Sequence, residues 1–210
     1  MSEGREVRKL GPVPRKPEER RALLADGSGI DLLLDTVVKF RIRAGAPVPE
    51  EALAFDRRER ARAAAWRLLS RGPQTRTTLR RGLVQRRHRA ADADAVIGDL
   101  EARGFLDERA LAADLAERRA NARRGPRMIE AELAMLGVAE EARREATARL
   151  REPAAQAELA RAALAAFLKR KARLAPEKVR EAAWRHLASR GFDADAAREA
   201  VEEALGGRDE

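Results

Sequence analysis

The 210-residue sequence has no cysteine, which excludes disulfides, thiolate zinc sites and cysteine nucleophiles. Tyrosine is absent as well, and two tryptophans and five phenylalanines bring the aromatic content to only 3%. Ala and Leu must therefore build most of the interior. The two histidines, His88 and His186, lie in no metal-ligand spacing. His88 sits inside the run Arg86-Arg87-His88-Arg89, where a basic surface role fits better than catalysis. No apolar run approaches the ~18 residues of a membrane span. The polar, proline-bearing stretch from Met1 to Pro17 lacks the apolar segment of a secretory signal, so a cytoplasmic address is expected and no membrane partner. Neither G-x-x-x-x-G-K-[ST] nor G-x-G-x-x-G occurs. The acidic pairs Glu140-Glu141 and Glu202-Glu203 are adjacent in sequence and so point to different helix faces. With no catalytic constellation, the expectation is a binding protein that is not an enzyme and uses no cofactor and no metal.

Hydrophobic residues make up 44% of the chain and charged residues 38%. Ala, Leu, Arg and Glu lose little rotamer freedom in helices, so this mixture favours a mainly helical fold. The net charge is +9, and its location says more than its size. Between Arg57 and Arg89 twelve arginines face a single glutamate, a local balance of +11 that leaves −2 for all other residues. That concentration suggests a face for a polyanionic partner; a well-solvated helix pair is the plainer alternative. Trp66 and Trp184 read as core anchors of their helices, with a rim position at an interface as the alternative.

Residues 1–19 are interrupted by Pro12, Pro14 and Pro17 and read as a disordered arm. Residues 20–56 form an extension. In it, Asp26-Gly-Ser-Gly29 joins two short apolar runs as a small β-hairpin, and Asp35 caps a short segment through Val37, Val38 and Phe40. From Pro49 onward the signals are helical, and they fall into three tandem three-helix units over 57–106, 107–152 and 153–206. Thr75, Asp107 and Asp193 stand at helix starts; Asp92 or Asp94 opens another helix, in which Ala93, Val96, Ile97 and Leu100 share a face. Pro126 occupies a first helical position, followed by Ile129 and Leu133 on one face. Gly104-Phe105, Gly137-Val138 and Gly191-Phe192 each place Gly after a helix with an apolar residue next, the pattern of a left-handed helix end. Stacked units of this kind predict an elongated curved array.

With that punctuation in place, the chain resembles the RecX family of recombination regulators. Arg124-Gly125-Pro126-Arg127-Met128-Ile129-Glu130-Ala131-Glu132-Leu133, followed by Gly137-Val138, is similar to the family's Gly-Pro-x-x-Ile-x-x-Glu-Leu-x-x-x-Gly-aliphatic motif. Leu100 to Arg109 resembles its Leu-x-x-x-Gly-aromatic-Leu segment, and Trp66 to Arg71 with Thr75 and Leu79 resembles its opening helix and the entry to the second. There are departures: Thr78 stands where the family usually has Glu, which would remove the reciprocal capping box, and Gly82 occupies a usually basic position. The resemblance covers residues 20 to 205 and implies a regulator that binds the RecA–DNA filament. It would inhibit filament growth, ATPase, strand exchange and repressor cleavage, and so modulate DNA repair and the SOS response.

The residues expected to meet that filament, or single-stranded or RecA-bound DNA without sequence preference, are arginines. The first group is Arg71, Arg76, Arg80, Arg81, Arg86, Arg87 and Arg89. Arg76, Arg80 and Arg87 would form a stripe within about 40° on one helix at 3.6 residues per turn. The second group, Arg118, Arg119, Arg123, Arg124 and Arg127, surrounds the structural motif Gly125, Pro126, Ile129 and Leu133. Arginine suits both carboxylate and phosphate because its planar fork bonds in pairs. A monomer is expected. The main rival is a sequence-nonspecific DNA-binding helical protein, for no Asn or Gln set lies along the basic helix to read bases; a helical adaptor for another partner is the second.

Overall fold

The computed structural model describes residues 6–170 and 176–206. It begins with β1 (Val7–Val13), β2 (Lys16–Leu24), β3 (Gly29–Leu33) and α1 (Leu34–Lys39). Helices α2 (Glu50–Leu69), α3 (Arg76–Gln85) and α4 (Ala90–Ala102) follow, then α5 (Glu108–Asn121), α6 (Pro126–Met135) and α7 (Glu140–Thr147). After a 3-10 turn at Arg149–Arg151 come α8 (Pro153–Arg170), α9 (Pro176–Ser189) and α10 (Ala194–Leu205). The fold is mainly helical with a small N-terminal sheet, and after α1 the helices run in the order of three helix triplets. The chain divides into two compact units, Met1–Gly72 with Arg80–Ala102, and Pro73–Leu79 with Arg103–Glu210.

In the first unit the sheet has the order β1-β2-β3, antiparallel throughout. The expected hairpin is β2–β3, with Asp26 Oδ1 accepting from the Ser28 N–H at 2.8 Å to close its turn. The arm assigned to residues 1–19 is corrected from residue 7 onward, because β1 and the start of β2 occupy it; residues 1–5 lie outside the described residues. The prolines misled. Pro12 is in an edge strand, where a missing N–H is tolerated. Pro14 is in the turn with left-handed Arg15, and Pro17 is the second residue of β2. Val7, Ala22, Leu24 and Leu32 join Val37, Ile42, Val48 and Ala52 in one core. Asp35 lies inside the first turn of α1 and makes no cap.

Helix α2 is tied to this sheet by a polar cluster. The buried Asp56 carboxylate accepts from the Leu33 N–H at 2.7 Å, the Thr36 hydroxyl at 2.9 Å and Arg60 Nε at 2.7 Å. Arg60 also donates to the buried Glu19 at 2.8 Å and to the Asp31 carbonyl at 3.0 Å. These bonds hold the Glu19 carboxyl below its ordinary pKa, Arg60 being the main cause. Ala93, Val96, Ile97 and Leu100 of α4 are all buried, as are Ala61, Ala64 and Ala65 of α2, and the two helices pack on each other. Neither Asp92 nor Asp94 caps α4. Asp92 is buried in its first turn, beside Arg57 and Arg58. A Cβ at Gly82 would meet Leu68 Cδ1 at 2.9 Å, which accounts for the small residue there.

The second unit holds two related cores. Ile129, Leu133 and Val138 pack with the alanine stripe Ala112, Ala116 and Ala120 of α5. Leu164, Val179, Ala183, Leu187 and Phe192 pack with Ala197 and Val201 of α10. Leu159 of α8 touches both. Asp107 and Asp193 cap α5 and α10 as expected, their side chains accepting from Ala110 and Ala196 N–H groups. Thr75 and Thr78 form a reciprocal cap: Thr75 Oγ1 accepts from the Thr78 N–H at 3.0 Å, and Thr78 Oγ1 accepts from the Thr75 N–H at 2.9 Å. The capping box expected to be lost is thus kept, because the threonine hydroxyl reaches the same donor that Glu would.

Gly137 and Gly191 are left-handed, as expected, with φ of 76° and 84°. Both are also points where one triplet meets the previous one. At Gly137 an added Cβ would lie 2.5 Å from Thr77 Cβ, and the Leu136 carbonyl accepts from the Thr75 hydroxyl at 2.6 Å. At Gly191 it would lie 2.6 Å from Met128 Cβ. Opposite, Gly125 donates to the Arg190 carbonyl at 2.7 Å, and Arg127 N–H donates to the Gly191 carbonyl at 3.2 Å. In both cases the turn after a triplet's second helix packs on the N-terminus of the preceding triplet's second helix.

Candidate partner-binding surface

The arginine-rich segment divides sharply by what its side chains touch. Arg57, Arg58, Arg60, Arg62 and Arg80 have carboxylate partners in the first unit, respectively Glu50 with Asp92, Asp92, Asp56 with Glu19, Glu59 with Asp99, and Asp94. Much of the +11 therefore serves the interior and intramolecular pairing. Among the described residues, Arg71, Arg81, Arg87 and Arg89 are exposed and have no carboxylate partner; Arg67 and Arg86 bond only to carbonyls of their own helices, at 3.2 Å from Ala63 and 2.8 Å from Gly82.

The expected stripe is corrected. Helix α3 ends at Gln85, and Arg87 has φ 66°. The Arg87 N–H donates to the Val84 carbonyl at 2.9 Å and the His88 N–H to that of Leu83 at 3.2 Å, a Schellman closure that turns Arg87 off the helical ladder. Arg76 is exposed at the start of α3, in the second unit, where its N–H donates to Glu108 at 2.8 Å. Arg80 bonds Asp94 at 2.8 Å.

In repeat terms, the partner of Gly137-Val138 and Gly191-Phe192 is Arg87-His88, since all three pairs close a second helix. Gly104-Phe105 instead follows a third helix, α4. Gly104 is left-handed at φ 74° with open space around it, but Phe105 is 52% exposed where Val138 and Phe192 are buried. Trp66 is 41% exposed, which corrects its reading as a core anchor; Trp184 packs against the α8–α10 core.

Around the second motif, Pro126 stands at N1 of α6, and Ile129 and Leu133 are fully buried. Glu132 takes both Arg119, at 2.5 Å, and Arg124; Arg118 pairs with Asp114 at 2.8 Å. Arg123 closes α5 in a left-handed turn and is exposed, as is Arg127. Five arginines expected at a binding face thus reduce to two with no carboxylate partner.

Sequence reading missed Arg67. It lines a depression of about 290 Å³ in the first unit together with Ala64, Leu68, Arg71, Arg86 and His88. The His88 imidazole is pushed below its ordinary pKa by burial and then by the Arg67 and Arg86 charges, with Asp92 opposing them. Aligning Arg87-His88 with Gly137-Val138 would have drawn attention to this turn. No group of three or more His, Asp or Glu suited to a metal ion occurs among the described residues, nor any helix long and apolar enough to cross a membrane.

No protein-family profile matches the chain. Two curated proteins described as regulatory protein RecX, from two strains of Thermus thermophilus, are each 44% identical over 91 residues. The match spans 43% of this chain and just over half, 56%, of theirs. Among solved structures, a crystal structure of regulatory protein RecX superposes with TM-score 0.67 at 20% identity, covering 98% of this chain and 99% of that one. RecX from Lactobacillus salivarius gives TM-score 0.63 at 18% identity over 70% of this chain and 96% of its own. At those identities the shared property is the fold.

Proposed function

From the RecX-family assignment that the sequence match and the shared fold together support, we propose that this chain is a regulator that binds the RecA–DNA filament and inhibits RecA activities. The observation that carries the reading is the exposed arginine cluster Arg71, Arg81, Arg86, Arg87 and Arg89, left without carboxylate partners on a RecX-like fold. Filament growth, ATPase, strand exchange and repressor cleavage would all weaken if a basic surface occupied filament protomers or their DNA phosphates. Arg123 and Arg127 form a smaller second patch; Arg80, Arg118, Arg119 and Arg124 are held by Asp94, Asp114 and Glu132 and would reach a partner only by exchanging those carboxylates for its own, and Arg76 is exposed at the start of α3. Neither patch offers a set of base-reading Asn or Gln, so contact with DNA would be sequence-blind and steeply weakened by salt.

The test is to titrate the chain into a RecA ATPase assay on single-stranded DNA, beside gel shifts with DNA alone. Inhibition at concentrations well below those giving a shift is expected. A shift without inhibition would establish the DNA-binding alternative, and neither effect would leave a helical adaptor for another partner.

A further inference from the structure

We propose that the depression lined by Arg67, Arg71, Arg86 and His88 is a phosphate-binding site, for a group such as a nucleic-acid backbone or a free nucleotide presents. Arg67 comes from the last turn of α2 and Arg71 from the turn just beyond it, and Arg86 and His88 from the turn after α3, so two turns of the first unit converge on one concavity. Ala64 and Leu68 supply its apolar part. Among the described residues none of these three arginines is paired with a carboxylate, while five others in the same segment are. The nearby Asp92 is held by Arg57 and Arg58. Bonds from Arg67 to the Ala63 carbonyl and from Arg86 to the Gly82 carbonyl fix each guanidinium while using a single nitrogen of each.

Helix C-termini favour cations and would account for an arginine at each helix end. They do not account for three arginines and an imidazole gathered on one depression, where mutual repulsion opposes the arrangement. A phosphate removes that repulsion, and the planar guanidinium fork matches its oxygens. Comparison of the repeats points the same way. At the two equivalent turns Val138 and Phe192 are buried, and Gly137 and Gly191 are covered by the preceding triplet. At the turn after α3 the two residues are Arg87, which is exposed, and His88, which is half-buried and lines a basic depression.

The proposal goes beyond the RecA reading, and its probe contains no RecA. Inorganic phosphate is titrated into the full chain at constant ionic strength with chloride, following the imidazole resonances by NMR. The chain has two histidines, so His186, stacked on Phe167 at 4.4 Å, serves as internal control. Expected are a saturable shift at His88, a rise of its pKa as the anion offsets Arg67, Arg71 and Arg86, and no saturable shift at His186. Arg71→Gln with Arg86→Gln should weaken phosphate binding at least tenfold while leaving the helical circular-dichroism signal and the urea unfolding transitions close to those of wild type. A phosphate response at His88 that does not saturate, or an undiminished one in the double variant, overturns the site. Parallel titrations identify the source: tighter binding by a thymidine oligonucleotide marks a backbone phosphate, and tighter binding by ADP a nucleotide.

Discussion

The turn after α3 and the turn after α9 occupy the same place in their triplets, yet one is arginine and histidine and the other glycine and phenylalanine. At Gly191 the backbone of the α6 N-terminus approaches so closely that a Cβ has no space, and Phe192 is buried behind it. Arg87 is instead exposed, and a full-length side chain is carried at φ 66°. Glycine at a helix end is therefore required twice over at Gly191, by the left-handed backbone and by the next chain segment. At Arg87 only the weaker backbone preference operates, and it yields. Repeated architecture explains why the turn exists; neighbour contact decides what occupies it.

The largest effect should come from closing the gap at the covered turn. Gly125→Ala places a Cβ 2.5 Å from the Gly191 backbone and must move one triplet against the next. The expected loss is about 3 kcal/mol, at the upper end for overpacking because backbone, not a flexible tip, is struck. Gly104→Ala is the control: it is left-handed too, but a Cβ there meets nothing within 4 Å, so only about 1 kcal/mol for the backbone conformation is expected. Equal losses in urea denaturation would show that the triplets are not locked at Gly125.

Next in size is the interior use of the basic segment. Arg60→Met leaves the buried Asp56 and Glu19 carboxylates short of a donor, with an expected loss of about 2 kcal/mol at neutral pH. The Glu19 pKa is depressed in the folded state, so its contribution is complete above the ordinary value of 4.5 and disappears as pH falls through the lower folded value. The gap between wild type and variant, measured by denaturation at a series of pH values, should narrow in acid. A gap independent of pH would remove Glu19 from the explanation.

Much of this was legible from sequence, for identifiable reasons. Periodicity located the helices because Val96, Ile97, Leu133 and Val201 recur at helical spacing and are buried. Asp107 and Asp193 were readable because capping is local chemistry. What failed depended on tertiary context: Pro12 is harmless only because β1 is an edge, and Trp66 is left 41% exposed while the alanines Ala61, Ala64 and Ala65 of the same helix are buried. The charge count located the basic segment correctly but could not separate Arg60, which serves the interior, from Arg71, which does not. That division depends on Glu19 and Asp56 from distant parts of the chain.

The smallest expected effect tests why Arg87 stands where glycine would suit the backbone better. Arg87→Gly removes the cost of a left-handed non-glycine residue and should stabilise the chain by about 0.5–1 kcal/mol. Asparagine also tolerates that conformation, so Arg87→Asn should recover part of the gain while equally removing the charge. Both variants should weaken inhibition of RecA ATPase at low salt, by similar factors, because the cation and not the backbone is the shared loss. A stabilised variant that inhibits as well as wild type would mean that Arg87 is merely tolerated at an uncovered turn. Weaker inhibition in both, from chains at least as stable as wild type, would mean that the uncovered turn carries a strained arginine for the sake of the partner.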